Sequence, residues 1–159
     1  MKKKLFLIAL LAVLSVSFFS SCEKIEQSSP ITINDSSTTT AIISGFVYAQ
    51  LDNTVTGYEF APSGTKLYFK IDVSQLDMNV GEGERFYIVN GTVGANGAFS
   101  VKVPATSKGV DVEILADDFT YDVKTGAATT ETKEFELVPI VSSVIQGQSV
   151  VEDLYYISF

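Results

Sequence analysis

The sequence of 159 residues predicts an all-β chain, an antiparallel β-sandwich of about seven or eight strands. Three observations lead there. After Thr40 the apolar residues recur with a period of two, as in strands with one buried face. Turn-forming Gly, Pro, Asn and Ser separate those runs. No window beyond the N-terminal segment carries a 3.6-residue helical period.

That N-terminal segment has its own logic. Met1-Lys2-Lys3-Lys4 is basic, and Leu5 to Val16 is apolar except for Ser15. Such a run is short against the about 20 residues that span a bilayer. Its charge flank is that of a secretory signal, with an uncleaved anchor helix as the alternative. Phe19-Ser20-Ser21-Cys22 then resembles a bacterial lipoprotein signal, whose lipobox is an aliphatic residue, two small residues and Cys. The resemblance implies removal of residues 1–21, a diacylglycerol thioether on Cys22 and an acyl chain such as palmitate on the new amine. Several chains at about 0.8 kcal/mol per buried methylene hold firmly in a bilayer, whereas one chain is marginal.

Composition excludes much chemistry. The chain has no His, no Trp and one Cys. A Ser-His-Asp or Cys-His nucleophile, an imidazole metal ligand, an intrachain disulfide and a thiolate zinc cluster are therefore all absent. Of eleven basic residues, three are the lysines that leave with the signal, so eight face nineteen acids and the mature net charge is near −11. Such a surface repels phosphate backbones, so no nucleic-acid partner is expected, and no cofactor is implied.

Residues 22–40 read as a lipidated Cys and a tether. From Glu23 to Thr40 the large apolar residues are Ile25, Ile31 and Ile33 among Ser and Thr, too few to offset ordering entropy. Glu23-Lys24-Ile25-Glu26 resembles the acidic export signals of surface lipoproteins in Bacteroidetes-like bacteria. The expected location is the cell envelope, anchored at the outer membrane and facing either periplasm or surface.

Residues 41–159 then read as one sandwich domain. Ile42–Gln50 is the first strand candidate. Leu67, Phe69 and Ile71 alternate with Lys66, Tyr68, Lys70 and Asp72, and Phe86–Asn90 follows. Phe99, Val101 and Val103 alternate with Ser100 and Lys102. Val110, Val112 and Ile114 alternate with acids, as do Phe135 and Leu137; Phe119, Tyr121 and Val123 alternate with Thr120, Asp122 and Lys124, and Val150–Phe159 ends the chain. The turns between them are Pro62-Ser63-Gly64, Gly81-Glu82-Gly83, Ala95-Asn96-Gly97, Ser107-Lys108-Gly109 and Lys124-Thr125-Gly126. Asn96-Gly97 predicts a type I′ hairpin turn, with positive φ at both central positions.

Gly45-Phe46-Val47, Pro62-Ser63-Gly64 before a strand, Asn96-Gly97-Ala98-Phe99 and the exit Val103-Pro104 together resemble the carboxypeptidase-regulatory-like, or transthyretin-like, sandwich family over residues 42–118. The stretch from Asp72 to Phe86 is longer than that family's connection, and the run beyond Pro139 lacks a counterpart. The resemblance transfers no catalytic residue: transthyretin-like hydrolases depend on histidines, and metallocarboxypeptidases keep their zinc in another domain.

Other constellations weigh less. Gly91, Gly94 and Gly97 have phosphate-loop spacing, but a strand follows them instead of a helix, which favours a hairpin loop. Asn90-Gly91-Thr92 matches a glycosylation acceptor. Asp117, Asp118 and Asp122 are the candidates for calcium, against the alternative of solvated loop acids. Glu82 and Glu84, or Asp117 and Asp118, are the carboxylates that a glycan hydrolase would need. Tyr48, Tyr58, Tyr68, Tyr87, Tyr121, Tyr155 and Tyr156 offer aromatic surface for sugars or fill sheet positions. The expectation is a non-enzymatic, lipid-anchored binding or structural accessory with the bilayer, and an envelope protein or glycan, as partners. The alternatives are a carboxylate-dependent glycan hydrolase and a fimbrial or surface-assembly subunit whose Val150–Phe159 run pairs with a neighbour's open edge.

Overall fold

A computed structural model describes residues 39–76 and 85–159. Cys22, the signal, nearly all of the tether, Glu82 and Glu84 lie outside the described residues. Eleven strand segments form two sheets: β1 (Thr39–Ala49), β2 (Glu59–Phe60), β3 (Lys66–Asp72), β4 (Phe86–Thr92), β5 (Ala98–Ala105), β6 (Val110–Ala116), β7 (Phe119–Lys124), β8 (Thr130–Leu137), β9 (Ile140–Val144), β10 (Ser149–Val151) and β11 (Leu154–Ser158). The described residues form an all-β sandwich.

Sheet I is built around β1. Its first eight residues pair antiparallel with β5, from Thr39 opposite Ala105 to Phe46 opposite Ala98. Its last two pair with β2, Tyr48 opposite Phe60. On its other side run β10 and then β11, both parallel, with Ile42 beside Ser149 and Tyr48 beside Tyr155. β8 and β7 continue the sheet antiparallel beyond β11. Sheet II is β4-β3-β6-β9, antiparallel throughout. The parallel pairs are a departure from a purely antiparallel sandwich with a simple origin. The Ile145–Gln148 turn delivers the chain beside the start of β1, where Gly147 N donates to Thr40 O and Ile42 N to Gln148 O, so the two segments run the same way.

Alternation along β1 points Ala41, Ile43, Val47 and Ala49 inward, where they are at most 1% exposed. Facing them are Leu67, Phe69 and Ile71 of β3 and Val112 and Ile114 of β6, in one continuous apolar cluster. The Phe69 and Phe99 rings sit 5.9 Å apart in that core. Burial of each such side chain contributes roughly 1.5–3 kcal/mol, which fixes the strand registers, because a one-residue slip would turn the apolar set outward.

The strand count exceeds eight for identifiable reasons. β9 was hidden because its central inward residue is polar: Ser142 is 3% exposed and donates to Glu152 Oε1 at 2.9 Å. The C-terminal run is two segments, broken at Glu152-Asp153. There Glu152 N donates to Ser44 O at 2.8 Å, and Asp153 Oδ1 accepts the Phe46 amide at 2.9 Å. Gly45 makes room for this break; a Cβ on it would lie 2.0 Å from the Glu152 carbonyl oxygen.

Two further expectations change. The run Val150–Phe159 is no spare strand for a neighbour: β11 lies between β1 and β8, with Leu154 and Tyr156 buried. Asn96-Gly97 is not the centre of a two-residue hairpin. Gly97 N donates back to Gly94 O, so Ala95-Asn96 form the turn and Gly97 follows in the left-handed region at φ 73°. The connection carries the chain from β4 in sheet II to β5 in sheet I, a crossing that a tight type I′ loop between paired strands would not make.

Candidate functional site

The outward positions of β1 include Ile42, Ser44, Phe46 and Tyr48, since their neighbours fill the core. Cross-strand register sets Phe60 of β2 on one side of Tyr48 and Tyr155 of β11 on the other. Tyr58, just before β2, reaches across to Tyr155. Five rings therefore gather on the solvent face of sheet I. Phe46, Phe60, Tyr155 and Tyr58 are 37%, 46%, 47% and 57% exposed.

Their geometry is an offset stack. Tyr48 lies 5.3 Å from Tyr155 and 5.5 Å from Phe60, with interplanar angles of 21° and 29°. Phe60 lies 5.7 Å from Phe46 at 26°. Tyr58 closes the row edge-on, 5.3 Å from Tyr155 at 72°. Near-parallel rings at these separations have slid past one another, which leaves part of each face uncovered. Gly97 keeps Phe60 in place, because a Cβ there would meet the ring at 2.3 Å.

Polar groups edge the row. Asp153 sits in the gap between β10 and β11, bonded to the Phe46 amide. Lost hydration first, then the charge of Asp153 and the Tyr155 phenol, raise the pKa of Tyr48, so its hydroxyl is a neutral donor and acceptor. Glu59 Oε2 accepts the Leu51 amide at 2.8 Å, and Gln50 Nε2 donates to Asp52 O at 2.9 Å, which ties the loop leading to Tyr58 against the end of β1. The surface offers uncovered ring faces beside phenolic hydroxyls, a combination that suits ligands with both C–H faces and hydroxyl groups.

The other sequence candidates are dispersed. Asp117 accepts the Tyr68 hydroxyl at 2.8 Å, and its backbone carbonyl accepts the buried Tyr156 hydroxyl at 2.7 Å. Asp122 accepts from Thr132 at 2.6 Å in a shallow open depression on β7 and β8. Burial, then Asp118 and Asp117, raise the pKa of Tyr156. Among the described residues no three acids, or acids with Cys, gather closely enough to hold a metal ion, so Asp117, Asp118 and Asp122 do not converge on one. Gly91 lies in β4, where a Cβ would strike Val101 at 2.6 Å, and Gly94 and Gly97 shape the crossing to β5. Of the seven tyrosines, Tyr48, Tyr58 and Tyr155 join the ring row; Tyr68, Tyr87, Tyr121 and Tyr156 stand elsewhere. Sequence reasoning missed Phe46, Phe60 and Asp153. Phe46 was within reach, as it alternates with Gly45 and Val47; Phe60 and Asp153 depend on register that no local pattern carries.

No family model matches the chain, and no curated protein matches it in sequence. Among solved structures it is similar to a Pseudomonas aeruginosa protein titled a "putative carbohydrate binding protein", with TM-score 0.50, 16% identity, and coverage of 74% of this chain and 89% of that one. A second is the major plantain pollen allergen Pla l 1, with TM-score 0.35, 15% identity, and coverage of 74% and 92%. At this identity the first likeness shows the shared sandwich fold. No helix among the described residues is long and apolar enough to cross a membrane.

Proposed function

We propose that this chain is a lipid-anchored cell-envelope module that does no covalent chemistry and holds a glycan on the ring row of sheet I. The row itself carries the reading: five rings on a solvent-facing sheet surface, four of them more than a third exposed. Pyranose rings present C–H faces that pack on uncovered aromatic faces, while their hydroxyls bond to the phenols at the edge. The description of the similar Pseudomonas aeruginosa sandwich as a carbohydrate binding protein, and the resemblance to an accessory fold family, support the same reading. Cys22 supplies the anchor and residues 23–38 the spacer, since Thr39 and Thr40 already belong to β1, with the transthyretin-like body as the working end.

A glycan array followed by calorimetry tests it. The wild-type protein should bind a subset of glycans, and Tyr48→Ala and Tyr155→Ala should each weaken binding about tenfold or more while the sheet spectrum by circular dichroism is retained. Retained affinity in both variants would remove the ring row from the function. Material from the native host should begin at Cys22 and carry the mass of its acyl chains; an unprocessed, fatty-acid-free precursor would refute the anchor.

A further inference from the structure

We infer that the ring row prefers uncharged glycans to anionic ones, and that Asp153 is the residue that sets this selectivity. The inference rests on the glycan reading above and goes beyond it to the class of sugar.

The argument is one of placement. Asp153 occupies the break between β10 and β11, directly beside the ring-bearing end of β1, because its Oδ1 accepts the Phe46 amide at 2.9 Å. That bond to a backbone N–H fixes the carboxylate beside β1. Phe46 and Tyr48, 6.2 Å apart, flank this position. The charge is felt at the site itself, since it contributes to the raised pKa of the Tyr48 phenol. Among the described residues no Lys or Arg forms an ion pair with it, whereas Lys70, Lys124 and Lys133 pair with Glu113, Asp52 and Glu131.

On β5 the one cation is also remote. On the neighbouring strand, the residue opposite Phe46 is Ala98, and Lys102 stands four positions further, opposite Ile42. At about 3.3 Å per residue its backbone lies roughly 13 Å from the Phe46 level, more than a Debye length at physiological salt. The next charge past Tyr155 is another acid, Glu136, opposite Ile157. The whole chain carries a net charge of −8. A uronate or sulfate held about 6 Å from Asp153 across water loses roughly 0.7 kcal/mol, which is about threefold in affinity, and a polymer charged at each unit meets that repulsion repeatedly. Neutral chains meet none of it.

Asp153→Asn is the sharp variant, because the amide oxygen still accepts from the Phe46 N–H while the charge is gone. The full mature chain, in detergent, is tested against neutral glycans and against uronate and sulfated ones at low salt. Wild type should bind neutral members about threefold or more tightly than their singly charged counterparts, and Asp153→Asn should shrink that neutral-to-anionic ratio about threefold. Raising the salt concentration should weaken the preference in wild type, a readout that needs no variant. Anionic binding by wild type at low salt that is as tight as neutral binding overturns the inference. So does a preference that neither Asp153→Asn nor salt alters while Tyr155→Ala still abolishes neutral binding; the glycan reading then survives alone. Binding of no glycan of either kind overturns the glycan reading and this one with it.

Discussion

Replacing Gly45 by Ala tests how the ring row is held. The new Cβ would sit 2.0 Å from the Glu152 carbonyl oxygen, 2.7 Å from its carbon and 3.2 Å from Asp153 Oδ1. The obstacle is backbone, so no side-chain rotation relieves it. Either β1 or the Glu152-Asp153 break must move. Overpacking of this kind costs about 1–3 kcal/mol. The displacement also strains two hydrogen bonds, Glu152 N to Ser44 O at 2.8 Å and Phe46 N to Asp153 Oδ1 at 2.9 Å, each contributing about 1 kcal/mol net. A loss of about 3 kcal/mol is expected, or roughly 10 °C in Tm for a domain of this size. Urea melts should show a lower midpoint at unchanged slope, since the surface exposed on unfolding stays the same. Tyr155 moves with β11, so ligand affinity should fall together with stability. A variant that melts within about 0.5 kcal/mol of wild type would show that β10 and β11 are not held against β1 as described.

Two further outcomes follow from the same architecture. Deleting residues 150–159 should abolish the cooperative urea transition, because it removes buried Leu154 and Tyr156 and leaves β1 and β8 without their shared neighbour; a folded monomer after that deletion would restore the spare-strand reading. Asp52 and Asp72 have depressed pKa values, from hydrogen bonds donated by Thr54 (with Lys124 also near Asp52) and by Ser74. Their ionised forms favour the folded state above the unfolded carboxylate pKa of about 4, and that contribution is lost as pH falls through the lower folded values. Stability should therefore drop below pH of about 4, and Asp52→Asn with Asp72→Asn should flatten the drop; an unchanged slope would refute the assignment.

What the sequence disclosed and what it concealed divide along physical lines. β3 and β6, most of β5 and the end of β8 alternate because one face meets apolar core and the other meets water, and periodicity reports that directly; in β7 only Val123 is buried and Tyr121 is 41% exposed. β9 escaped because Ser142 takes an inward position, made tolerable only by Glu152 from a different sheet. β2 is two residues long and exists through pairing with β1. The parallel β1–β10 and β1–β11 pairs depend on where the Ile145–Gln148 turn emerges, which is information about contacts more than a hundred residues apart. For the site, Tyr48, Tyr58 and Tyr155 stood among seven tyrosines with nothing to set them apart until register gathered them.

Cross-strand aromatic pairs stabilise sheets by about 0.2–1 kcal/mol each, so the ring row could be read as reinforcement alone. Three features weigh against that. The fold draws its inward face from Ala41, Ile43, Val47 and Ala49, and the outward positions of β1 would be served by Thr or by charged residues that cost nothing in water. Tyr58 belongs to no strand, yet it packs edge-on against Tyr155 while staying 57% exposed, so it extends the aromatic surface without adding a rung to the ladder. Gly97 likewise gives up side-chain packing at a crossing between sheets to admit the ring of Phe60, itself 46% exposed. Reinforcement explains a pair of rings; it does not explain why a loop residue and a glycine on separate connections both serve the same solvent-facing surface. The proposed binding face does.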